Sequence, residues 1–580
     1  MVAIIERVPS EILLQIFEDC KDQVYGDTKS YLFGLSRVCR FWRSVIHTSP
    51  TLWSDIWLDV STGMVEEQAT YWLERAGETL LSITILFPRR GKSDNDVRRK
   101  TDAESAKALP VRLAGIIGGV MHRWKKIALD VSPLEAQLFL DNCTGYTPNL
   151  LNLSLRDFSF HDNNDESKTL YIPFQRSGLN PPASTSFSNF LPVFSSFGVA
   201  VAQLTIGATA ARTRSIHYVD MLLSCPNLVT CRLVGTTHDT PIGGLSDDVV
   251  VPLPRLINLQ VSSIPDPEYL LGALRLEALQ SLCVVDLEWG RAMPSALRRI
   301  FQTCGDSLTK VSIKRAEDIS RSDDDPPSIP TWGRVELPSV KHFTFHADDV
   351  AYPLLQQLSL PQAQTLVLDG VPCGIAHSLM SSSLQLNSAS FSDLSGEVPQ
   401  HASVATFPDL SLLSLGGESL GILDYISTPH LNKLTLTDGG AYRPLAGPAL
   451  CCLILRSNPP IQWLVLFGVV ITDEDAIWCL RRLPHIETIQ ITECPISDAT
   501  LRALQIPLPL ERHDGSEMLL PQLKTAHITS NIYTTPQAIM AFVTSRNASP
   551  STAIRGTVSS RGLTPHERET LLLFGVRCQA

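Results

Sequence analysis

One pattern recurs along most of the chain: a proline, one further residue, then three apolar residues spaced apolar-x-x-apolar-x-apolar. With 44% apolar residues and 39 prolines, roughly three occurrences are expected by chance. The pattern is more frequent than that. Triplets that follow a proline include those beginning at Leu150, Leu228, Leu256, Val340, Leu410, Leu431, Ile461, Ile486 and Leu523. The shorter steps between neighbours are 21, 25, 28 and 30 residues.

Such a triplet is typical of a short strand whose apolar side chains point into a core, and stacked strands of this kind form a parallel sheet. The preceding proline disfavours helix in the residue before it, so the chain enters the strand extended. The clearest unit starts at Ile461, where a strand precedes a helix that Thr472 and Asp475 are placed to cap. Pro484 ends that helix, and Ile486 begins the next strand.

The period and the triplet resemble the leucine-rich repeat, with irregular units because the consensus Asn or Cys after the triplet is met only late, by Cys494 and Asn531. The resemblance implies an α/β fold: a leucine-rich-repeat-like solenoid of parallel strands and helices over residues 150–545. Residues 61–149 are predicted to be a connector or early irregular repeats. Residues 546–580 are predicted to form a C-terminal capping segment, with a helix that opens at Thr564-Pro565-His566-Glu567 and ends at Gly575.

Residues 1–60 have a different pattern, which predicts a small all-α module. Ser10 precedes a short amphipathic helix, a polar link follows at Lys21–Ser30, and a second helical stretch runs from Leu35 to Ile46 before Pro50. The segment is also rich in aromatic residues. These side chains either fill a small core or anchor an interface, and composition leaves both interpretations open.

Three ordered blocks of this segment resemble the F-box. Residues 8–17, VPSEILLQIF, are similar to its opening LPxEILxxIF; residues 35–43, LSRVCRFWR, to its LxxVCRxWR helix; and residues 50–56, PTLWSDI, to its closing PxLWxxI. Val8 replaces the usual leucine, and the Lys21–Tyr31 link is longer than in compact F-boxes.

The resemblance implies docking to a Skp-type adaptor and, through it, to a cullin–RING ubiquitin ligase. The family contact positions carry over to Pro9, Ile12, Leu13, Ile16, Phe17, Leu35, Val38, Cys39, Trp42, Leu52 and Trp53. Some of these side chains must belong to the domain's own core, and the sequence does not sort them.

Charge and cysteine usage narrow the possible functions. The formal net charge is −11, opposite in sign to a protein that coats nucleic acid phosphates, so we predict no nucleic acid partner. The thirteen cysteines include no Cys-x-x-Cys pair, which disfavours zinc and favours reduced thiols in an intracellular protein, cytoplasmic or nuclear. No metal or cofactor is predicted.

Membrane and secretory signals are not expected. Glu6 and Arg7 interrupt what would be the apolar run of a signal peptide. The uncharged stretch Ser177–Ala211 contains Pro192 and Gly198, so it predicts a polar loop followed by a strand near Val201–Ile206 rather than a membrane span.

The leading hypothesis is therefore a non-catalytic substrate receptor, in which the N-terminal helices bind the adaptor and the repeats hold an unknown target protein. An alternative is a scaffold or interaction protein that never joins a ligase. A remote alternative is a serine hydrolase, because Gly417-Glu418-Ser419-Leu420-Gly421 matches the Gly-x-Ser-x-Gly nucleophile elbow. Its acid and base would have to come from residues such as Asp438 and His485 or His513.

Overall fold

The fold is described from a computed structural model. It describes residues 8–21, 28–87, 102–157, 169–176, 181–207, 215–235, 249–264, 266–287, 290, 292–315, 333–346, 349–398, 402–437, 445–506, 518–559 and 563–578. Within these ranges the chain forms two compact units, the first extending to Cys304 and the second beginning at Gly305.

The chain begins with three short helices rather than the two expected. They are α1 (Ser10–Lys21), α2 (Thr28–Ser36) and α3 (Arg40–Thr48), followed by a 3₁₀ turn at Pro50–Trp53. The stretch from Leu35 to Ile46 was predicted as one continuous helix and is instead divided by a turn at residues 37–39. Helix α2 begins inside the predicted polar link; residues 22–27 of that link lie outside the described residues.

In the first unit the chain then alternates between strands and helices. The strands are β1 (Asp55–Asp59), β2 (Leu81–Leu86), β3 (Trp124–Asp130), β4 (Asn152–Arg156), β5 (Thr169–Ile172), β6 (Ala183–Ser188), β7 (Leu191–Phe194), β8 (Val201–Gly207), β9 (Thr230–Val234), β10 (Val251–Leu253), β11 (Asn258–Ser262), β12 (Leu274–Leu276) and β13 (Ser281–Leu287). The helices are α4 (Val65–Ala76), α5 (Asp102–Gly118), α6 (Pro133–Asp141), α7 (Ser215–Leu223), α8 (Pro267–Ala273) and α9 (Met293–Cys304).

The second unit continues the alternation. Its strands are β14 (Lys310–Arg315), β15 (Val335–Glu336), β16 (His342–His346), β17 (Leu358–Ser359), β18 (Thr365–Asp369), β19 (Ser388–Leu394), β20 (Ala405–Thr406), β21 (Leu412–Gly417), β22 (Ile426–Ser427), β23 (Lys433–Thr437), β24 (Trp463–Phe467), β25 (Thr488–Thr492), β26 (Thr525–Thr529), β27 (Arg555–Val558) and β28 (Val576–Cys578). Its helices are α10 (Tyr352–Leu355), α11 (Cys373–Ser381), α12 (Ala446–Ser457), α13 (Asp473–Arg482), α14 (Asp498–Ala503), α15 (Pro536–Arg546) and α16 (Pro565–Leu573).

Each unit contains a long sheet whose strands pair in parallel and in chain order. In the first unit β1, β2, β3, β4, β6, β8, β9, β11 and β13 follow one another. In the second the order is β14, β16, β18, β19, β21, β23, β24, β25, β26, β27 and β28. Four two-stranded parallel sheets form from the short strands: β5–β7, β10–β12, β15–β17 and β20–β22.

The predicted apolar triplets account for this order. In β24 the inward Leu464 and Leu466 are buried while Val465 is only half-buried, and Ile461 is buried just before the strand. Because strands alternate their side chains between the two faces, one face of the sheet joins the core and the other meets solvent. Parallel strands need a crossover, and α13 supplies one between β24 and β25.

Several local predictions are confirmed. Thr472 caps α13 by accepting from the Asp475 amide at 3.1 Å. Thr564 and Glu567 form a capping box at the start of α16, and Gly575 beyond its end has φ +75°. The strand expected near Val201–Ile206 is β8. In the described part of the chain, no helix is both long enough and apolar enough to cross a bilayer.

Candidate functional site

Helix α1 buries one face and leaves apolar side chains on the flank beside it. Leu13 and Phe17 are buried, as the amphipathic spacing predicts. Ile12 and Ile16, one turn apart, are 54% and 47% exposed. In a helix this short, two exposed isoleucines in adjacent turns form a small apolar patch that no other described residue covers.

Helix α1 is held by an aromatic contact with α3. The rings of Phe17 and Trp42 meet edge to face with centroids 5.0 Å apart. This geometry is favourable because the positive ring edge approaches the negative ring face. The indole N–H of Trp42 is buried and has no acceptor among the described residues. Its ring, rather than its polar group, therefore positions α1.

The turn between α2 and α3 depends on Cys39. Its side chain caps α3 by accepting from the Trp42 amide at 3.4 Å. The Ser36 hydroxyl donates to the Phe33 carbonyl at 2.8 Å, and Arg43 Nε donates to the Ser36 carbonyl at 3.0 Å. These bonds satisfy backbone groups at the helix ends and stabilise the break. Val38 lies in this turn, and 57% of its surface is exposed.

Trp53 joins the N-terminal helices to the rest of the first unit. Its Nε1 donates to the Ile46 carbonyl of α3 at 2.7 Å. On the other side its ring contacts Trp72 of α4 edge to face, with centroids 5.1 Å apart. Leu52 beside it is also fully buried. Strand β1 follows at once and pairs with β2, so the helices continue directly into the sheet without a linker.

Two titratable groups in this region have shifted pKa values. His47 stacks on Trp53 at 5.6 Å between ring centroids, and burial, with the nearby Arg75 and Arg43 charges, lowers its pKa. Burial, helped by a hydrogen bond with Cys20, raises the pKa of Tyr31 to about 12. His47 and Tyr31 are therefore both neutral at pH 7.

The structure places the eleven predicted contact residues at three levels of burial. Exposed side chains are Pro9, Ile12, Ile16 and Val38; half-buried ones are Leu35, Cys39 and Trp42; buried ones are Leu13, Phe17, Leu52 and Trp53. The exposed group can meet a partner without rearrangement. The buried group belongs to the core of the helices and to their junction with α4.

The same segment matches a known family. The F-box-like family model matches residues 5–59, so an F-box-like domain occupies the start of the chain and its match includes strand β1. Domains of this family generally bind Skp-type adaptors, as in the receptors of SCF ubiquitin ligases. No family match covers the strands and helices that follow, and a comparison with curated proteins finds no match.

Ser419, the nucleophile of the hydrolase alternative, is fully buried at the start of a 3₁₀ helix, Glu418–Tyr425. Its Oγ lies 2.7 Å from the Gly416 carbonyl and 3.5 Å from the Phe391 carbonyl. The hydroxyl thus donates to backbone rather than facing solvent. His485 is exposed in the turn between α13 and β25, and Asp438 and His513 lie outside the described residues.

Proposed function

We propose that this protein is the substrate-recognition subunit of an SCF-type ubiquitin ligase. The F-box-like domain binds a Skp-type adaptor and thereby a cullin–RING assembly, and the region after it holds a target protein. The rate gain in such an assembly comes from proximity of target and ubiquitin-charged partner. The role therefore requires neither a catalytic side chain nor a cofactor in this chain.

The observation that carries the proposal is a set of exposed apolar residues, Ile12 and Ile16 on α1 and Val38 in the turn between α2 and α3, which we call the docking patch. Each side chain is about half exposed, on helices whose own core is already filled by Leu13 and Phe17. Covering half of an isoleucine side chain contributes about 1 kcal/mol. A partner that covers the patch therefore gains several kilocalories from these residues together, as interface anchors do.

We infer that residues 150–545 form a leucine-rich-repeat-like solenoid that presents the target, with residues 61–149 as early irregular repeats. The support is the chain-order parallel pairing and the proline-led triplets that recur through it. We also propose that residues 546–580, which include β27 and α16, cap the end of the array. A repeat scaffold of this kind offers an extended solvent-facing surface, which suits recognition of a protein segment.

Co-expression with a Skp-type adaptor is the deciding experiment. We expect the full chain to co-purify with the adaptor as a stable complex. A folded chain that leaves the adaptor behind would remove the ligase role. A complex that recruits the cullin–RING assembly but acquires no ubiquitinated target would instead favour the scaffold alternative.

A matched pair of substitutions tests the docking patch itself. Ile16→Lys places a charge in the patch and should weaken adaptor binding about tenfold or more, since burying an unpaired charge is costly. Thr70→Lys adds the same charge at an exposed position on α4, outside the patch, and should leave affinity within about twofold. Equal affinities for both variants, measured by titration calorimetry, would move the contact surface elsewhere.

A further inference from the structure

The solvent-facing side of the sheet in the second unit has a charge opposite to that of the whole chain. Its described strand side chains include five basic ones, Lys310, Lys314, Lys433, Arg555 and Arg577, and two acidic ones, Asp369 and Asp393. Asp369 accepts from the His346 ring at 3.0 Å and from the Ser392 hydroxyl, so its charge is already engaged. In a chain of net charge −11, this is a basic surface.

Two aromatic side chains stand on that surface, both from strand β24. Trp463 and Phe467 are 45% and 38% exposed, with half-buried Val465 between them. Lys433 on the adjacent strand places its ammonium 4.7 Å from the Trp463 ring centroid. Exposed aromatic residues are the side chains most often found as interface anchors, and here they adjoin a cation.

Strand register sets the spacing of these features. Lys433 pairs with Trp463, which pairs with Thr488, then Thr525, then Arg555. With strands ~4.8 Å apart, Trp463 lies ~5 Å from Lys433 in this row and Arg555 lies ~19 Å from it. An extended chain advances ~3.3 Å per residue. A peptide that crosses the strands along this row thus meets Trp463 one or two residues after Lys433 and meets Arg555 about six residues after it.

A peptide fits this surface better than a nucleic acid. Exposed acidic side chains lie at the carboxyl ends of the strands, at Asp393, Glu418 and Glu493. Closely spaced phosphates would be repelled there, whereas carboxylates placed only opposite Lys433 and Arg555 would not. The small hydroxyl side chains of Thr488 and Thr525 between the two cations allow a backbone to lie close to the sheet.

We propose that the row from Lys433 to Arg555, which includes Trp463, binds an extended acidic peptide segment: a carboxylate, an apolar residue one or two positions later, and a second carboxylate about six positions after the first. This row, the peptide row, gives the target class for the proposed receptor and in that sense rests on the proposed function. Binding to the row can nevertheless be measured without the adaptor.

The test is selection of random twelve-residue peptides on the immobilised full chain, followed by affinity measurements with the selected peptides, fluorescently labelled. Selected sequences should be enriched in Asp and Glu at the stated spacing around Trp, Phe or Leu. Trp463→Ala and Lys433→Glu should each weaken binding about tenfold or more. The matched controls are Trp478→Ala and Arg482→Glu, a tryptophan–arginine pair on α13 with Cζ 4.5 Å from the ring centroid, and they should change affinity less than about twofold.

The outcomes separate cleanly. No enrichment, enrichment without acidic residues, or binding insensitive to Trp463→Ala would overturn the proposal. Tighter binding of a labelled dT12 oligonucleotide, lost in Trp463→Ala, would assign the surface to single-stranded nucleic acid instead. Adaptor co-purification should be unchanged in Trp463→Ala. If the chain binds the selected peptides but not the adaptor, only the proposed ligase role is wrong. If it binds the adaptor but no peptide, only the assignment of the peptide row is wrong.

Discussion

At the scale of single residues, the N-terminal tryptophans have different tasks. Trp42 uses its ring to hold α1 against α3, while Trp53 is buried between α3 and α4 and donates a hydrogen bond across that junction. Both were predicted from sequence as adaptor contacts. Because Trp53 is buried and the half-buried Trp42 packs on Phe17, changes at either residue act on the shape of the docking patch before they act on any contact with a partner.

Trp42→Ala should weaken adaptor binding, because removing the ring frees α1 and displaces Ile12 and Ile16. Trp42→Phe keeps an aromatic contact with Phe17 and removes only an N–H that has no acceptor among the described residues, so most of the affinity should remain. Calorimetric titration of both variants with the adaptor checks this order. If Trp42→Phe were the weaker binder, the N–H itself would have to matter.

The cysteines should differ widely in reactivity. Burial raises the pKa of Cys143, Cys225 and Cys494 to about 12, while Cys20 and Cys452 are exposed. Since the thiolate is the nucleophile, iodoacetamide at pH 8 should label the two exposed thiols first and the three buried ones only after unfolding. Peptide mass spectrometry of timed samples measures the order. Rapid native labelling of Cys143 would contradict the burial on which the order depends.

At the scale of elements, the sequence identified strands better than helix boundaries. A proline-led triplet favours a strand, because its last two apolar residues, two positions apart, share the inward face, while the first is buried just before the strand. The spacing from Leu35 to Ile46 fits a continuous helix as well as two. The break depends on Cys39, which caps α3. Since cysteine is not among the usual N-cap residues Ser, Thr, Asp and Asn, the residue type did not predict that a helix begins there.

Hydrogen bonds link successive helices of the second unit. In each link, an aspartate that is the first residue of one helix accepts hydrogen bonds from the N-cap residue of the next helix. Asp473, the first residue of α13, accepts from the Ser497 amide at 2.9 Å and hydroxyl at 2.7 Å at the start of α14. Asp498, the first residue of α14, accepts from the Thr535 amide at 2.7 Å and hydroxyl at 2.9 Å at the start of α15. These bonds set the order and spacing of neighbouring helices.

Asp473→Asn should destabilise the chain in a pH-dependent way. Burial alone would raise the pKa of Asp473, but hydrogen bonds from Thr500 and Ser497 outweigh it and lower the pKa below its ordinary value. A depressed carboxyl pKa stabilises the fold above the unfolded-state pKa near 4, and that stability is lost as the pH falls through the folded-state value. We expect Asp473→Asn to lower the free energy of unfolding by about 1 kcal/mol at pH 7. The difference between the variant and the unmodified chain should become smaller below about pH 4.

Urea unfolding at pH 7 and at successively lower pH measures this difference. Glu474→Gln is the matched control, because Glu474 is an exposed acid in the same first turn of α13 and shares any effect of the helix dipole. An equal loss in both variants at pH 7 would attribute the effect to the dipole rather than to the link with α14.

At the scale of the whole molecule, sequence predicted the alternation of strands and helices and the position of the F-box-like segment. It could not predict how the segment ends. Residues 50–56 resemble the close of an F-box and also lead into β1, whose pairing with β2 joins residues far apart in sequence. It also could not sort the eleven candidate contacts, since burial depends on helix packing. Trp463 and Phe467 were overlooked because they alternate with the triplet residues that define the strand.

Two truncated chains test where the domain ends in the fold. A chain that starts at Pro50 keeps Trp53 on Trp72 and β1 on β2, although Trp53 loses its contact with α3, so it should aggregate less than a chain that starts at Gly63. The chain that starts at Gly63 loses Trp53 and β1, which uncovers Trp72 and the unpaired edge of β2, so it should aggregate. Size-exclusion chromatography with light scattering distinguishes the two. Monomers in both cases would mean that β1 is dispensable to the sheet.

The direct passage from Trp53 into β1 has a mechanical consequence. Besides Trp53, the Arg75–His47 hydrogen bond and the Phe33–Tyr71 ring contact join the N-terminal helices to α4, and the described residues contain no linker between these helices and β1. If the proposed adaptor binds, the direction in which it points is set by these contacts. In the proposed ligase, loosening Trp53 would let the bound adaptor point in a wider range of directions, and ubiquitin would then reach a wider choice of lysines on the target.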